Sequence, residues 1–143
     1  MTSDQPSYRL IYVSRNALRG TPAEREEEVD RILEASRRNN TRDGITGALL
    51  FNESCFAQVL EGGSEAIHEV FERIQLDPRH SDTVVLAFEP APREFGGWSM
   101  AYAGGAAESS TRYHQLALPG AAEIASGRIL DLLRGVLLRQ GTA

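Results

Sequence analysis

The stretch from Asn39 to Gly62, NNTRDGITGALLFNESCFAQVLEG, decides the fold. It holds two strand-forming runs: Ile45 to Phe51 is seven residues without a charge, and Cys55 to Leu60 is apolar except for Gln58. Asn52, Glu53 and Ser54 between them supply turn chemistry of hairpin length. Runs apolar on both faces belong to central strands, so this hairpin is expected in the middle of a sheet. The two-residue period then puts Gln58 on the same face as Phe56 and Leu60. A buried carboxamide without partners costs roughly 1–3 kcal/mol, so something must hydrogen-bond it. The stretch therefore reads as a buried site as well as a core.

Asp43-Gly44 turns the chain into this hairpin and Gly62-Gly63 turns it out again. Upstream, Met1 to Pro6 is polar and expected to be loose, and YRLIYVS, Tyr8 to Ser14, reads as a strand. Alternation sets Leu10, Tyr12 and Ser14 on one face and Ile11 and Val13 on the other. After a loop from Asn16 to Gly20, Thr21-Pro22-Ala23-Glu24 is a helix start: a threonine cap, a proline at the first helical position and a capping-box glutamate. The helix is expected to run to about Arg38, with Val29, Ile32, Leu33 and Ser36 as its inward stripe. Downstream, Ser64 to Gln75 carries Ile67, Val70, Phe71 and Ile74 at helical spacing, and Asp77-Pro78-Arg79-His80 is a polar loop. Thr83 to Phe88 follows as a fourth strand and, after Pro90 and Pro92, Phe95 to Tyr102 as a fifth.

The order βαββαββ implies an α+β fold, a ferredoxin-like sandwich with two helices on one face of a five-stranded mixed sheet. Right-handed crossovers place both helices on the same side, so a gap can open between them over the central strands. Tyr12, Asn40 and Gln58 converge on that gap if their faces point toward the helices. From Gly104 the composition shifts to Gly, Ala and Ser. A last helix, about Ala121 to Arg139, then carries Ile124, Ile129, Leu132, Leu133, Val136 and Leu137. It must pack on the open back of the sheet or on another subunit.

With 143 residues, 41% of them hydrophobic, the chain can bury one sizeable core. Its formal charge of −5 opposes sequence-independent nucleic-acid binding, which needs clustered Lys and Arg. The single cysteine, Cys55, cannot form an internal disulfide, which suits a reducing cytoplasm. No signal-peptide pattern opens the chain, and no apolar run approaches the roughly 18–20 residues of a membrane span. His68, His114 and Cys55 have no metal-ligand spacing, so no metal is assigned. No Ser-His-Asp or Cys-His arrangement and no phosphate-binding glycine fingerprint is present.

Each polar candidate has two readings. Gln58 either ties a buried strand to its neighbour or serves a ligand. Tyr12 is a core tyrosine with a satisfied hydroxyl, or it pairs with Gln58 beneath a ligand. Asn39-Asn40 is a helix C-terminal cap, or it offers a donor and an acceptor side by side, the complement of an imide edge such as a flavin ring presents. Asp77, Arg79 and His80 make a solvated loop salt bridge by default. Arg73 is by default an exposed helix residue, and Ile32 and Ile74 are core unless they sandwich a flat ring. Trp98 and Met100 are expected on one face of the fifth strand.

Taken together, YRLIYVS, ILEASRRNN, DGITGALLF, FAQVLEG, ERIQLDPRH and REFGGWSM resemble, in order and spacing, the BLUF family of blue-light receptors that use a flavin. The resemblance covers residues 8 to 102, read as the flavin-binding domain, and leaves 103 to 143 as linker and C-terminal helix. It implies FAD, or occasionally FMN or riboflavin, between the two helices. By the family pattern Asn40, with Asn39 beside it, binds the N3 and C4-carbonyl edge, and Arg73, Asp77 and His80 hold the C2-carbonyl and ribityl side. Ile32 and Ile74 clamp the ring. Tyr12 is the light-driven electron and proton donor, Gln58 the relay whose hydrogen bonds rearrange, and Trp98 and Met100 couple the switch to the fifth strand and tail. Ala57 is smaller than the residue usual before the glutamine, and Gly96-Gly97 loosens the approach to Trp98. The resemblance implies a photoreceptor without enzymatic turnover, signalling through the last helix to a downstream protein or a homo-oligomer. Against it stand a flavin-free ferredoxin-like interaction domain and an acylphosphatase-type hydrolase. The hydrolase would use the loop Arg15 to Gly20, which lacks that family's glycine-rich pattern.

Overall fold

The structure is a computed structural model that describes residues 6–104 and 111–140, with side chains as far as Gly135. Five strands form one sheet: β1 (Tyr8–Asn16), β2 (Thr46–Phe51), β3 (Cys55–Gly62), β4 (His80–Pro90) and β5 (Ala101–Gly104). Their order is β4-β1-β3-β2-β5. The hairpin β2–β3 lies in its interior, and β3 is buried along its whole length. Among the described residues only the β2–β5 pairing is parallel, so the sheet is mixed. The helices are α1 (Pro22–Asp43), α2 (Ser64–Gln75), a short α3 (Tyr113–Leu116) and α4 (Ala122–Gln140).

α1 begins as its sequence dictates. The Thr21 hydroxyl accepts from Glu24 N at 3.2 Å while the Glu24 carboxylate accepts from Thr21 N at 2.9 Å, a closed capping box. Its end differs from the expectation at Arg38. Thr41 bonds back to the Arg37 carbonyl, the helix continues to Asp43, and Gly44 supplies the left-handed cap at φ 71°. Asn39 and Asn40 thus stand inside the last turns, and neither is the cap. α2 occupies the expected residues.

The two faces of the sheet carry separate cores. Leu10, Tyr12, Leu49, Phe56 and Leu60 face α1 and α2, meeting Val29, Leu33, Ile67, Val70 and Phe71. Ile11, Val13, Ala48, Leu50, Ala57 and Val59 face the other way and meet Ile129, Leu130 and Leu133 of α4. The last helix therefore covers the open back of the sheet. Ile124, expected in its apolar stripe, is instead 78% exposed. It sits one residue before Ala125, which with Ser126, Ile129, Leu130 and Leu133 makes the buried face. The side chains of Val136 and Leu137 lie outside the described residues, as does the start of the chain before Pro6.

The fifth strand is the largest departure. It starts at Ala101, and Glu94 to Met100 is a bent segment with a turn at Gly96-Gly97, closed by Trp98 N bonding to the Phe95 carbonyl at 2.9 Å. Glu61 explains the difference, because its carboxylate takes the N–H groups of Glu94 and Phe95 at 2.7 and 3.0 Å and so removes them from any ladder. Trp98 and Met100 consequently do not share a face. Trp98 packs against the α4-side core and Met100 against the α1/α2-side core.

Candidate functional site

Tyr12 on β1 and Gln58 on β3 are direct cross-strand partners, and both side chains point into the layer beneath α1 and α2. The Tyr12 hydroxyl donates to Gln58 Oε1 at 2.5 Å, with both residues buried. Burial, together with the nearby charge of Asp77, pushes the Tyr12 pKa well above its usual value, so the phenol keeps its proton. With Oε1 so occupied, Gln58 Nε2 is left to donate to Met100 Sδ at 3.4 Å. A thioether is a weak acceptor, so the amide is held firmly at oxygen and loosely at nitrogen.

Met100 and its neighbour are in turn fixed from α1. Arg37 Nε donates to the Met100 carbonyl at 3.0 Å, and Asn40 Nδ2 donates to the Ser99 carbonyl at 2.9 Å. Arg37 was missed by the sequence reading, although it follows Leu33 by four residues and precedes Asn40 by three, at the exposed edge of the inward stripe.

Over this group lies a cleft of about 150 Å³ lined by Ile32, Asn39, Asn40, Gln58, Ile74 and Arg73 among others. A second, of about 50 Å³, is lined by Tyr12, Phe56 and His80. The two adjoin, since Ile32, Ile74, Asp77 and Arg79 border both. Ile32 comes from α1 and Ile74 from α2, giving one apolar wall from each helix. A cleft of about 500 Å³ elsewhere is larger, but it borders Asp43, Gly62, Glu65 and Arg93 and none of the amide or phenol groups above.

The rim is charged. Asp77 accepts from Arg79 through both carboxylate oxygens, at 2.6 to 3.1 Å from the guanidinium and 2.9 Å from Arg79 N. Burial raises its pKa, but the Arg79 hydrogen bonds and charge outweigh burial and hold it below the usual carboxylate range. The Asp77–Arg79 part of the loop salt bridge read from the sequence therefore exists and extends to Glu28 at 3.2 Å, whereas His80, expected in the same loop, stands outside it as the first residue of β4. Arg73 borders the cleft while its Nη2 donates to Asp43 at 3.2 Å. His80 stitches two elements together, its Nδ1 2.6 Å from Ser14 Oγ and its Nε2 2.5 Å from the Ile74 carbonyl. A carbonyl only accepts, so Nε2 carries hydrogen and donates to Ile74, while Nδ1 pairs with the serine hydroxyl.

The donor set fits an isoalloxazine ring. Two asparagines and a glutamine offer paired donors and acceptors, two isoleucines supply flat apolar walls, and arginine with aspartate lies at the mouth. The two clefts, about 150 and 50 Å³, are together smaller than the few hundred Å³ of a typical ligand pocket. Of the expected site residues, Tyr12, Gln58, Met100, Ile32, Ile74, Asn39, Asn40, Arg73, Asp77 and His80 gather here, and Trp98 does not. Arg79, which borders both clefts, belongs with them. Glu61 was also missed, though a carboxylate closing an otherwise buried strand must find donors.

Residues 8–101 match the sequence family described as BLUF, sensors of blue-light using FAD. The chain is 38% identical over 71 residues to the blue light- and temperature-regulated antirepressor BluF of Escherichia coli K12, covering 49% of this chain and 18% of that protein. It is 34% identical over 102 residues to the photoactivated adenylate cyclase subunit alpha of Euglena gracilis, covering 69% of this chain and 10% of the relative. The matched region is thus a small part of these relatives. Among solved structures, the dark state of BlrB, a BLUF protein, superposes with a TM-score of 0.71 at 32% identity over 94% of this chain and 98% of that one.

Proposed function

We propose a mechanism from one premise: this chain belongs to the BLUF family, the blue-light photoreceptors that bind a flavin. The 2.5 Å bond from Tyr12 to Gln58 under the Ile32–Ile74 cleft carries the reading. Asn40 and Asn39 would hold the N3 and C4-carbonyl edge of the ring, Ile32 and Ile74 would clamp it, and Arg73, Asp77, Arg79 and His80 would take the C2-carbonyl and ribityl side. FAD is the flavin favoured, because the matched family is described as sensing blue light with FAD.

When bound, a flavin supplies absorption of blue light and a ring that takes up one electron and one proton. Tyr12 gives the electron. An oxidised phenol is a strong acid, and the Tyr12 proton has Gln58 Oε1 as its acceptor. Gln58 Nε2 would pass one of its own protons to the ring, leaving the amide with hydrogen on oxygen and its donor and acceptor ends interchanged, and the electron and proton taken up would return to Tyr12 to close the cycle. The contact to Met100 favours this exchange, since a thioether opposes it less than an oxygen acceptor would. In a site closed to water each mismatched bond counts more than at the surface, so the interchange is felt by Met100 and the segment before β5.

Residues 8–102 act as the sensor and 103–143 as the output, without enzymatic turnover, on a cytoplasmic partner or a second copy of the chain. Absorption spectra of the purified protein before and after blue light test the reading. A yellow protein whose spectrum shifts reversibly to the red is the expected result, and a colourless protein that rejects added FAD, FMN and riboflavin overturns it.

A further inference from the structure

The segment from Ala91 to Met100 touches both faces of the sheet. At its far end Met100 meets Gln58. At its near end the Glu94 carboxylate receives Arg134 of α4 through a two-pronged contact, Nε to Oε2 at 2.7 Å and Nη2 to Oε1 at 2.6 Å, and Arg9 of β1 at 3.1 Å. Glu61, fully buried, fixes the backbone between these ends by accepting from Glu94 N and Phe95 N and from Thr46 Oγ1. Further along, Gly47 N donates to the Trp98 carbonyl at 3.2 Å. A guanidinium on one side of the sheet and a carboxamide on the other are therefore joined by one short, well-tethered piece of chain.

The C-terminal region has a second attachment that avoids this segment. Tyr113 N donates to Ser54 Oγ at 2.8 Å, the Tyr113 hydroxyl donates to the Asp82 carbonyl at 2.6 Å, and Asn52 Nδ2 donates to the Thr111 carbonyl at 2.9 Å. The Arg15 guanidinium lies 4.3 Å above the Tyr113 ring. These contacts run to the hairpin turn, β1 and β4, away from Met100. Among the described residues, α4 is therefore anchored ahead of its first turn by polar contacts that do not report on Gln58, while its second half, besides packing Leu133 into the core, makes in Arg134 a polar contact that does.

We propose that Glu94 is a positioning residue of the switch and that its pair with Arg134 is the latch between the flavin site and α4. Held by Arg134, Glu94 sets where Met100 stands against Gln58. Interchange of the Gln58 amide shifts Met100, the shift returns along residues 94–100, and the second half of α4 is released while its start stays anchored. The side chains of Glu94 and Arg134 are 30% and 44% exposed, so the pair is weak enough to be broken by a local change, as a latch requires. Coupling of this kind is reciprocal. Loss of the latch must therefore alter the switch, not only the helix.

This inference rests on the photoreceptor reading, and the two fail differently. The experiment uses the full chain loaded with FAD and follows three readouts: the red shift, its dark recovery, and amide hydrogen exchange of residues 129–140 in dark and light. In the unsubstituted protein, light should speed exchange there and leave residues 113–118 unchanged. In Arg134→Gln and in the near-isosteric Glu94→Gln, dark exchange in 129–140 should already stand at the lit level and dark recovery should change several-fold. Arg134→Lys should restore part of both, and Asp131→Asn, which removes only a neighbouring surface partner of Arg134, should behave as the unsubstituted protein. Absence of any red shift in the unsubstituted protein overturns the photoreceptor reading. A normal red shift with unaltered recovery and light-dependent α4 exchange in both Gln variants overturns the latch alone, as does an equal effect of Asp131→Asn.

Discussion

Gln58 is bonded unequally at its two ends, oxygen to a phenol and nitrogen to a thioether, and in the proposed mechanism that inequality is what lets it switch. A residue held equally well at both ends would have no reason to exchange them. Tyr12→Phe leaves Gln58 Oε1 buried without its donor, which costs roughly 1–3 kcal/mol. The variant should bind flavin, lose the red shift, and melt a few degrees lower; an intact difference spectrum would remove Tyr12 from its role. Gln58→Leu keeps the volume of the layer and deletes both bonds. It should retain flavin and show no light-induced shift, checked by the same difference spectra. Strand alternation alone placed both side chains, because a period of two leaves one choice once the helix-facing side is known. The role of Met100 as acceptor was not legible in that way. Its position depends on Glu61, which is distant in sequence and lies on the opposite face of the sheet.

At the level of elements, β2 and β3 approach so closely that a Cβ on Gly47 would lie 2.0 Å from the Val59 carbonyl oxygen. Gly47 also donates to the Trp98 carbonyl, so its backbone fixes the segment that carries Met100. Overpacking of this kind usually costs 1–3 kcal/mol. Gly47→Ala, which meets backbone and not a flexible side-chain end, should lower stability by about 3 kcal/mol in urea unfolding and disturb dark recovery in whatever folds. The hairpin, α2 and the start of α1 were readable from local patterns, since caps, glycine turns and helical stripes are local physics. The end of α1 and the start of β5 were not. Gly44 outcompetes Asn39-Asn40 as a cap because it takes positive φ without strain. Residues 95–100 have strand-like composition but give up their ladder bonds to Glu61 and a glycine turn.

For the molecule as a whole, an apolar stripe in the tail promised burial without saying against what, and the answer, the back of the sheet, depends on which face α1 and α2 leave open. The same layering sets the response to pH. Arg134 holds the Glu94 carboxyl below the usual range, and Asp77 and Asp43 are likewise lowered by their arginines. Such groups contribute stability that is present above their unfolded values near pH 4 and is lost as pH falls through the lower folded values. Burial acts in the opposite sense on Cys55, pushed up to about 11, and on Tyr12. Both favour the fold until the unfolded chain ionises, from about pH 8.5 upward. Melting temperature should therefore be flat between about pH 5 and 8 and fall on either side, as a calorimetric pH series would record. The acid limb should be shallower in Glu94→Gln. His80 has a consequence of its own. With one ring nitrogen committed to Ser14 and the other to the Ile74 carbonyl, this imidazole, the nearest base-forming ring to Tyr12, has no lone pair to spare. Phe71 packs against the Tyr12 ring and Phe56 against the imidazole. Under the proposed mechanism a hydrogen nucleus leaving the phenol thus finds its road at the carboxamide, while the neighbouring histidine, already committed at both nitrogens, stays out of the traffic.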